Sequence, residues 1–149
     1  MKMTDGEIKI DREGIWYYRG AHMFRKDILC IFFNHLKIDE RGKYFIQLNE
    51  EICYLDVEDT AFVVTSVHNT DDLVLILLSD DSLETLDLNS LRVGKDNIMY
   101  CKIKGGQFAA RFTRKAYYQL AEMIEADEEE KRFFINSGGR QHFIQINDQ

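Results

Sequence analysis

The chain has 149 residues, 45% of them hydrophobic and 12% aromatic, and a formal charge of −7. That is enough apolar material for one compact domain or two closely packed lobes, and it excludes a sparse, highly charged disordered chain. The negative charge argues against nucleic acid as a partner, because neutralisation of phosphates by Lys and Arg supplies most of that affinity.

In chain order, the opening "MKMTDGE" has no apolar core of a signal peptide, and the reading is a cytoplasmic protein. "EIKID" puts Ile8 and Ile10 on one strand face, and "REG" turns into "IWYYRG", which predicts a hairpin with Gly14 at the turn. From about Arg25 to Ile38, Ile28, Leu29, Phe32, Phe33 and Leu36 recur at helical spacing. "DERGK" breaks that pattern, and "KYFIQL" and "EICYLDV" follow as two strands. "AFVVTSVH" and "DLVLILLS" read as long central strands, the second buried on both faces. Its aliphatic run, Leu73 to Leu78, falls far short of the roughly 20 residues of a membrane helix, so no membrane partner is expected. Residues 80–97 read as an irregular connection. "IMYCKIKGGQFAARF" predicts a hairpin around Gly105-Gly106. Thr113 is an N-cap for a helix lined by Tyr117, Leu120, Ala121 and Ile124, and "RFFINSGGRQHFIQI" closes with a hairpin at Gly138-Gly139.

Residues 25–57 align without a gap on 114–146, with Arg25-Lys26 on Arg114-Lys115 and Tyr44-Phe45-Ile46 on Phe133-Phe134-Ile135. Gly14-Ile15-Trp16 meets Gly106-Gln107-Phe108 on a slightly different offset. The expected fold is therefore α+β: two similar strand-strand-helix-strand-strand lobes around antiparallel sheets, residues 6–68 and 69–149, the C-terminal one β-rich. An internal repeat is the expected origin. On this reading Trp16 and Tyr18 face the core, and Tyr17 faces outward, available to stack on a ligand.

Several of these stretches together resemble a bacterial family, domain of unknown function 1285 (DUF1285). They are "GIWYYRG", Arg25-Lys26 opening a helix with Phe32 and Leu36, "GKYFI", "VEDTAF", "LRV" at 91–93, "AARF" at 109–112, "YYQLAE" at 117–122 and "NSGG" at 136–139. Two features depart from the family pattern: the chain has no proline, and residues 80–97 are acidic and poorly matched. The resemblance implies an N-terminal αβ lobe, a β-rich C-terminal lobe with repeated motifs, and a role in signalling or ligand binding. It brings no catalytic residues.

The residues that carry chemistry are few. His22, His35, His68 and His142 lack metal-ligand spacing, and Cys30, Cys53 and Cys101 read as small buried hydrophobes in a reducing cytosol, so no metal and no cofactor is expected. No phosphate-binding glycine loop or nucleophile elbow occurs. "EADEEE" at 125–130 reads as a frayed helix end, because acids there oppose the macrodipole. Arg19, Arg25 and Lys26, with Arg111, Arg114 and Lys115, stand where two helices begin. Cations are unfavourable there unless an anion joins them, which predicts an anion site at one or both helix starts. The reading is a non-catalytic module that binds a small anionic ligand or an acidic protein partner, in signal transduction. The alternative is a small enzyme acting on an anionic substrate, with Glu58 or Asp59 as base.

Overall fold

Alternating apolar side chains build most of the structure, a computed structural model that describes residues 4–146. The chain separates into two compact units, one ending at Ala61 and the other beginning at Phe62.

In the first unit β1 (Ile8–Ile10) and β2 (Trp16–Tyr18) form the expected antiparallel hairpin, with Ile8 opposite Tyr18 and Ile10 opposite Trp16. A tight turn at Arg19-Gly20 leads to β3 (Ala21–His22). Helix α1 (Lys26–Asn34) follows, then β4 (Leu36–Ile38), β5 (Tyr44–Leu48) and β6 (Glu51–Tyr54), a three-stranded meander. β7 (Asp56–Val57) returns parallel to β1, giving the sheet order β3-β2-β1-β7. The periodicity had carried the helix through Ile38, but α1 ends at Asn34. Leu36 fits either period. Pairing of Leu36–Ile38 with Ile46–Tyr44 satisfies a ladder while still burying Leu36, so the strand wins over a last helical turn.

Trp16 is the centre of this unit's core. It is 2% exposed, edge-on to Phe33 at 4.9 Å and stacked on Phe32 at 6.1 Å, with Ile8 and Ile10 buried on the same sheet face. Ile15, on the opposite face, is exposed. Cys53 is buried as expected, but Cys30 is exposed on α1. It lies outside the helix's apolar stripe, where burial has nothing to drive it.

The second unit opens with β8 (Phe62–Asn69), β9 (Val74–Leu78) and β10 (Leu83–Thr85). It continues with β11 (Arg92–Val93), β12 (Met99–Ile103) and β13 (Phe108–Phe112). Then come α2 (Arg114–Ala121), β14 (Ile124–Asp127), β15 (Arg132–Ser137), β16 (Arg140–Phe143) and β17 (Gln145–Ile146). The seven-stranded sheet runs β10-β9-β8-β13-β12-β11-β17, and β14-β15-β16 form a separate meander. The sequence placed β8 in the first lobe. Its ladder partners are β9 and, in parallel, β13, so it belongs to the second unit's sheet. Residues 80–97 contain two short strands and two 3-10 turns, Leu88–Ser90 and Lys95–Asn97. In β9 burial alternates: Val74, Ile76 and Leu78 are buried, and Leu75 and Leu77 only half-buried, so one face is less covered than the continuous run suggested.

Thr113 caps α2 as expected, its hydroxyl accepting from the Ala116 N–H at 3.2 Å. The buried pair is Ala116 and Leu120, whereas Tyr117 is turned to the surface. Small Ala116 lets the helix lie close to β8, where the Gln119 side-chain carbonyl accepts from the Val67 N–H at 2.8 Å. The acidic stretch is not a helix end at all. Ile124–Asp127 pairs with β15, and the Asp127 carboxylate accepts from the Glu129 and Glu130 N–H groups in the turn, so the conflict with a helix dipole does not arise.

Both units share the order hairpin, helix, three-stranded meander. Phe45 faces Tyr54 as Phe134 faces Phe143, and Ile10 faces Trp16 as Ile103 faces Phe108. Each meander has one strand more than the sequence predicted. Arg25 and Arg114 are not equivalent, however: Arg25 takes the N-cap position that Thr113 holds in α2. The offset persists until the loop after the next strand, which spans residues 127–132 in the second unit against 39–43 in the first, judged from the flanking pairs Ala126↔Phe133 and Ile38↔Tyr44. Among the described residues no helix is long and apolar enough to cross a membrane.

Candidate functional site

The first unit carries two turns of the same construction. At Asp11-Arg12-Glu13-Gly14-Ile15 the Asp11 Oδ1 accepts from the Glu13 and Ile15 N–H groups at 3.0 and 2.9 Å. At Asp39-Glu40-Arg41-Gly42-Lys43 the Asp39 Oδ1 accepts from Arg41 and Lys43, both at 2.9 Å. Gly14 and Gly42 have φ of 85° and 80°, where a side chain is strained, and each donates to the carbonyl of its Asp at 3.0 Å. The second oxygen of each carboxylate takes a tyrosine: Tyr17 Oη donates to Asp11 Oδ2 at 3.3 Å and Tyr54 Oη to Asp39 Oδ2 at 3.2 Å.

These turns border an open groove of about 1090 Å³ in the first unit. Its walls hold the carboxylates of Asp5, Asp11, Asp39, Asp56, Glu58 and Asp59, six against the three cations Lys9, Arg41 and Lys43, together with Tyr17, Tyr44 and Tyr54. Lys9 and Tyr17 reach it from adjacent strands because they are register partners on the sheet face away from Trp16. The Lys43 N–H holds the Asp39 carboxyl below its ordinary range, with Arg41 N–H and the Tyr54 hydroxyl adding to this against the effect of burial. Burial pushes the Tyr17 and Tyr54 hydroxyls up, and the partner carboxylates Asp11 and Asp39 push them further. Burial raises Tyr44 as well, against a hydrogen bond from the Ala61 backbone. The tyrosines thus remain protonated, and the bonds of Tyr17 to Asp11 and of Tyr54 to Asp39 hold those two rings in place along the groove. Among the described residues no three His, Cys, Asp or Glu side chains are grouped to hold a metal ion.

The structure brings Tyr17, Glu58 and Asp59 to this groove, and none of the six predicted anion-binding cations. Arg19 pairs with Glu7 and lies over the Tyr18 ring. Arg25 pairs through Nη2 with Asp27 at 2.7 Å. Arg19 and Arg25 therefore meet carboxylates of their own unit, and Asp27 in the first helical turn is on the favourable side of the dipole. Lys26 is exposed in the first turn of α1. In the second unit Arg111 is half-buried on β13, and Arg114 and Lys115 are exposed in the first turn of α2. Sequence reasoning missed Asp11, Asp39, Tyr44 and Tyr54. The signal is the repeated Asp-x-x-Gly spacing of 11–14 and 39–42, which in the sequence marks only a hairpin turn at Gly14 and a break after the first helical pattern.

No family model and no curated protein matches this sequence. Two solved structures are similar. A DUF1285 family protein from Silicibacter pomeroyi DSS-3 is 21% identical with a TM-score of 0.79, over 95% of this chain and 80% of that one. A DUF1285 family protein from Shewanella baltica OS155 is 18% identical with a TM-score of 0.66, over 78% of this chain and 91% of that one. The chain has the fold of these two DUF1285 family proteins, in line with the resemblance of its short motifs.

Proposed function

We propose that the protein is a non-catalytic binding module whose site is the groove of the first unit, and that its ligand is polar and carries amine or guanidinium groups. The excess of carboxylates over cations along one open cavity, interleaved with three tyrosine rings, carries this reading. Carboxylates attract the cation, and tyrosine faces add cation–π attraction. Asp11 and Asp39 accept from backbone and tyrosine donors and act as scaffold, and Asp5 Oδ1 accepts from the Tyr54 N–H at 3.0 Å. The exposed Asp56 and Glu58 are the carboxylates assigned to the ligand, which shares Glu58 with Arg12. A general-base role for Glu58 is less well supported, because its carboxylate is exposed and engaged by Arg12 at 3.4 Å. Binding without turnover suits a part in signal transduction, in which occupancy is passed to a partner. We infer further that the two units are copies of one repeat, on the strength of their shared element order and strand registers.

Titration calorimetry with spermidine and with an arginine-rich hexapeptide tests the assignment. Binding weakens with salt, since exposed charges are screened beyond about 8 Å at physiological ionic strength. The double variant Asp56→Asn/Glu58→Gln weakens it about tenfold while leaving the thermal midpoint unchanged, as expected for a pair of charge-assisted contacts. Equal affinity of wild type and variant, or binding of polyglutamate in place of the cations, refutes the reading.

A further inference from the structure

We propose that a second, apolar pocket of the first unit, between the β2–β3 edge and α1, binds a small amphipathic monocarboxylate. The pocket is separate from the acidic groove and goes beyond the reading above. It measures about 370 Å³ and is walled by Tyr18, Met23, Phe24, Ile28 and Phe32, with Arg25 and His22 as its charged or polar members. Small-molecule sites are of this kind: a concave wall of hydrocarbon and aromatic carbon, with a few polar groups that fix orientation.

The apolar wall is present because α1 commits little of its stripe to the core. Among its residues Phe33 is buried, whereas Ile28 and Phe32 are half-covered, and Phe24 just before the helix is 75% exposed. The charge at the pocket selects the head group. A guanidinium has five N–H donors. Asp27 engages Arg25 through Nε at 3.3 Å and Nη2 at 2.7 Å, and the Nη1 protons have no partner among the described residues. The His22 ring sits 5.9 Å from Phe24 and likewise makes no hydrogen bond among them. A carboxylate at the mouth accepts from Arg25 Nη1, while its hydrocarbon body covers Phe24, Ile28 and Phe32. Asp27 does not line the pocket, but it stands behind the same guanidinium and repels further negative charge. This favours a single carboxylate over a phosphate dianion.

The test is a set of amide-resonance titrations on the full chain with three probes of one shape: 4-phenylbutyrate, 4-phenylbutanamide and 4-phenylbutylamine. The carboxylate is expected to shift resonances of Met23, Phe24 and Ile28 and to bind about fivefold more tightly than the amide, the upper end for a partly exposed ion pair. Arg25→Gln brings the carboxylate down to the amide's affinity, Arg25→Lys keeps part of the preference, and Phe24→Ser weakens both probes. The two arginine variants together separate loss of charge from loss of fold. Equal affinity for carboxylate and amide, tighter binding of the amine, shifts mapping elsewhere, or no binding of any probe at millimolar concentration overturns the proposal. So does a dimer that Phe24→Ser converts to monomer in sedimentation, since the pocket is then a contact between copies of the chain.

Discussion

Trp16→Ala removes the side chain at the centre of the first unit's core. Truncating a large buried aromatic typically costs about 3–5 kcal/mol. Trp16 is 2% exposed and touches both Phe32 and Phe33, contacts worth roughly 0.5–1.5 kcal/mol each within that total. One feature works the other way: the indole Nε1–H is buried with no hydrogen-bond partner among the described residues, a defect of about 1–3 kcal/mol that the truncation relieves. The expected loss is therefore near the lower end, about 3 kcal/mol. Trp16→Phe keeps most of the ring and removes the orphaned donor, and is expected within about 1 kcal/mol of wild type. Because Trp16 is the only tryptophan, unfolding in urea is followed by far-ultraviolet circular dichroism rather than by indole fluorescence. A Trp16→Ala midpoint equal to wild type, or a larger shift from Tyr17→Ala than from Trp16→Ala, refutes the core assignment.

Thr113→Ala removes the α2 cap and is expected to cost about 1 kcal/mol, with Thr113→Ser close to wild type; thermal melts of the two variants decide. Iodoacetamide at pH 8 is expected to label native protein at Cys30 alone. Cys53 and Cys101 are buried, and burial pushes the Cys101 thiol up to about 12, so modification of either, read by mass spectrometry, contradicts the packing described. The folded Asp39 carboxyl titrates below its ordinary value of about 3.9, so its bonds stabilise the fold above that pH and are lost as the pH falls through the lowered folded value. Asp39→Asn should accordingly melt below wild type at pH 7, with the difference closing below about pH 4; a difference constant with pH rules the linkage out.

The local alternation of apolar residues determined the three hairpins and the inward face of Trp16, and the Thr113 side chain marked the start of its helix, because each is decided by neighbours within a few positions in the chain. The resemblance of the two units was legible for the same reason, since paired aromatic and aliphatic positions recur at matching places. Elements whose period is ambiguous were decided by their partners. Leu36–Ile38 became a strand because Tyr44–Ile46 offered a ladder, and Ile124–Asp127 did so against Arg132–Ile135. The site depended on tertiary structure most of all. Asp11 and Asp39 read as ordinary turn residues and Tyr54 as an ordinary strand residue, whereas the outward face of Tyr17 was legible from strand alternation. Only the folded chain brings the two turns to one groove, and only there does Arg19 meet Glu7, whereas Arg25 finds Asp27 two residues along the chain. A hydrogen bond between residues 15 apart, such as Tyr54 to Asp39, has no periodic trace in the sequence, because it is set by how far apart two strands lie rather than by spacing along one.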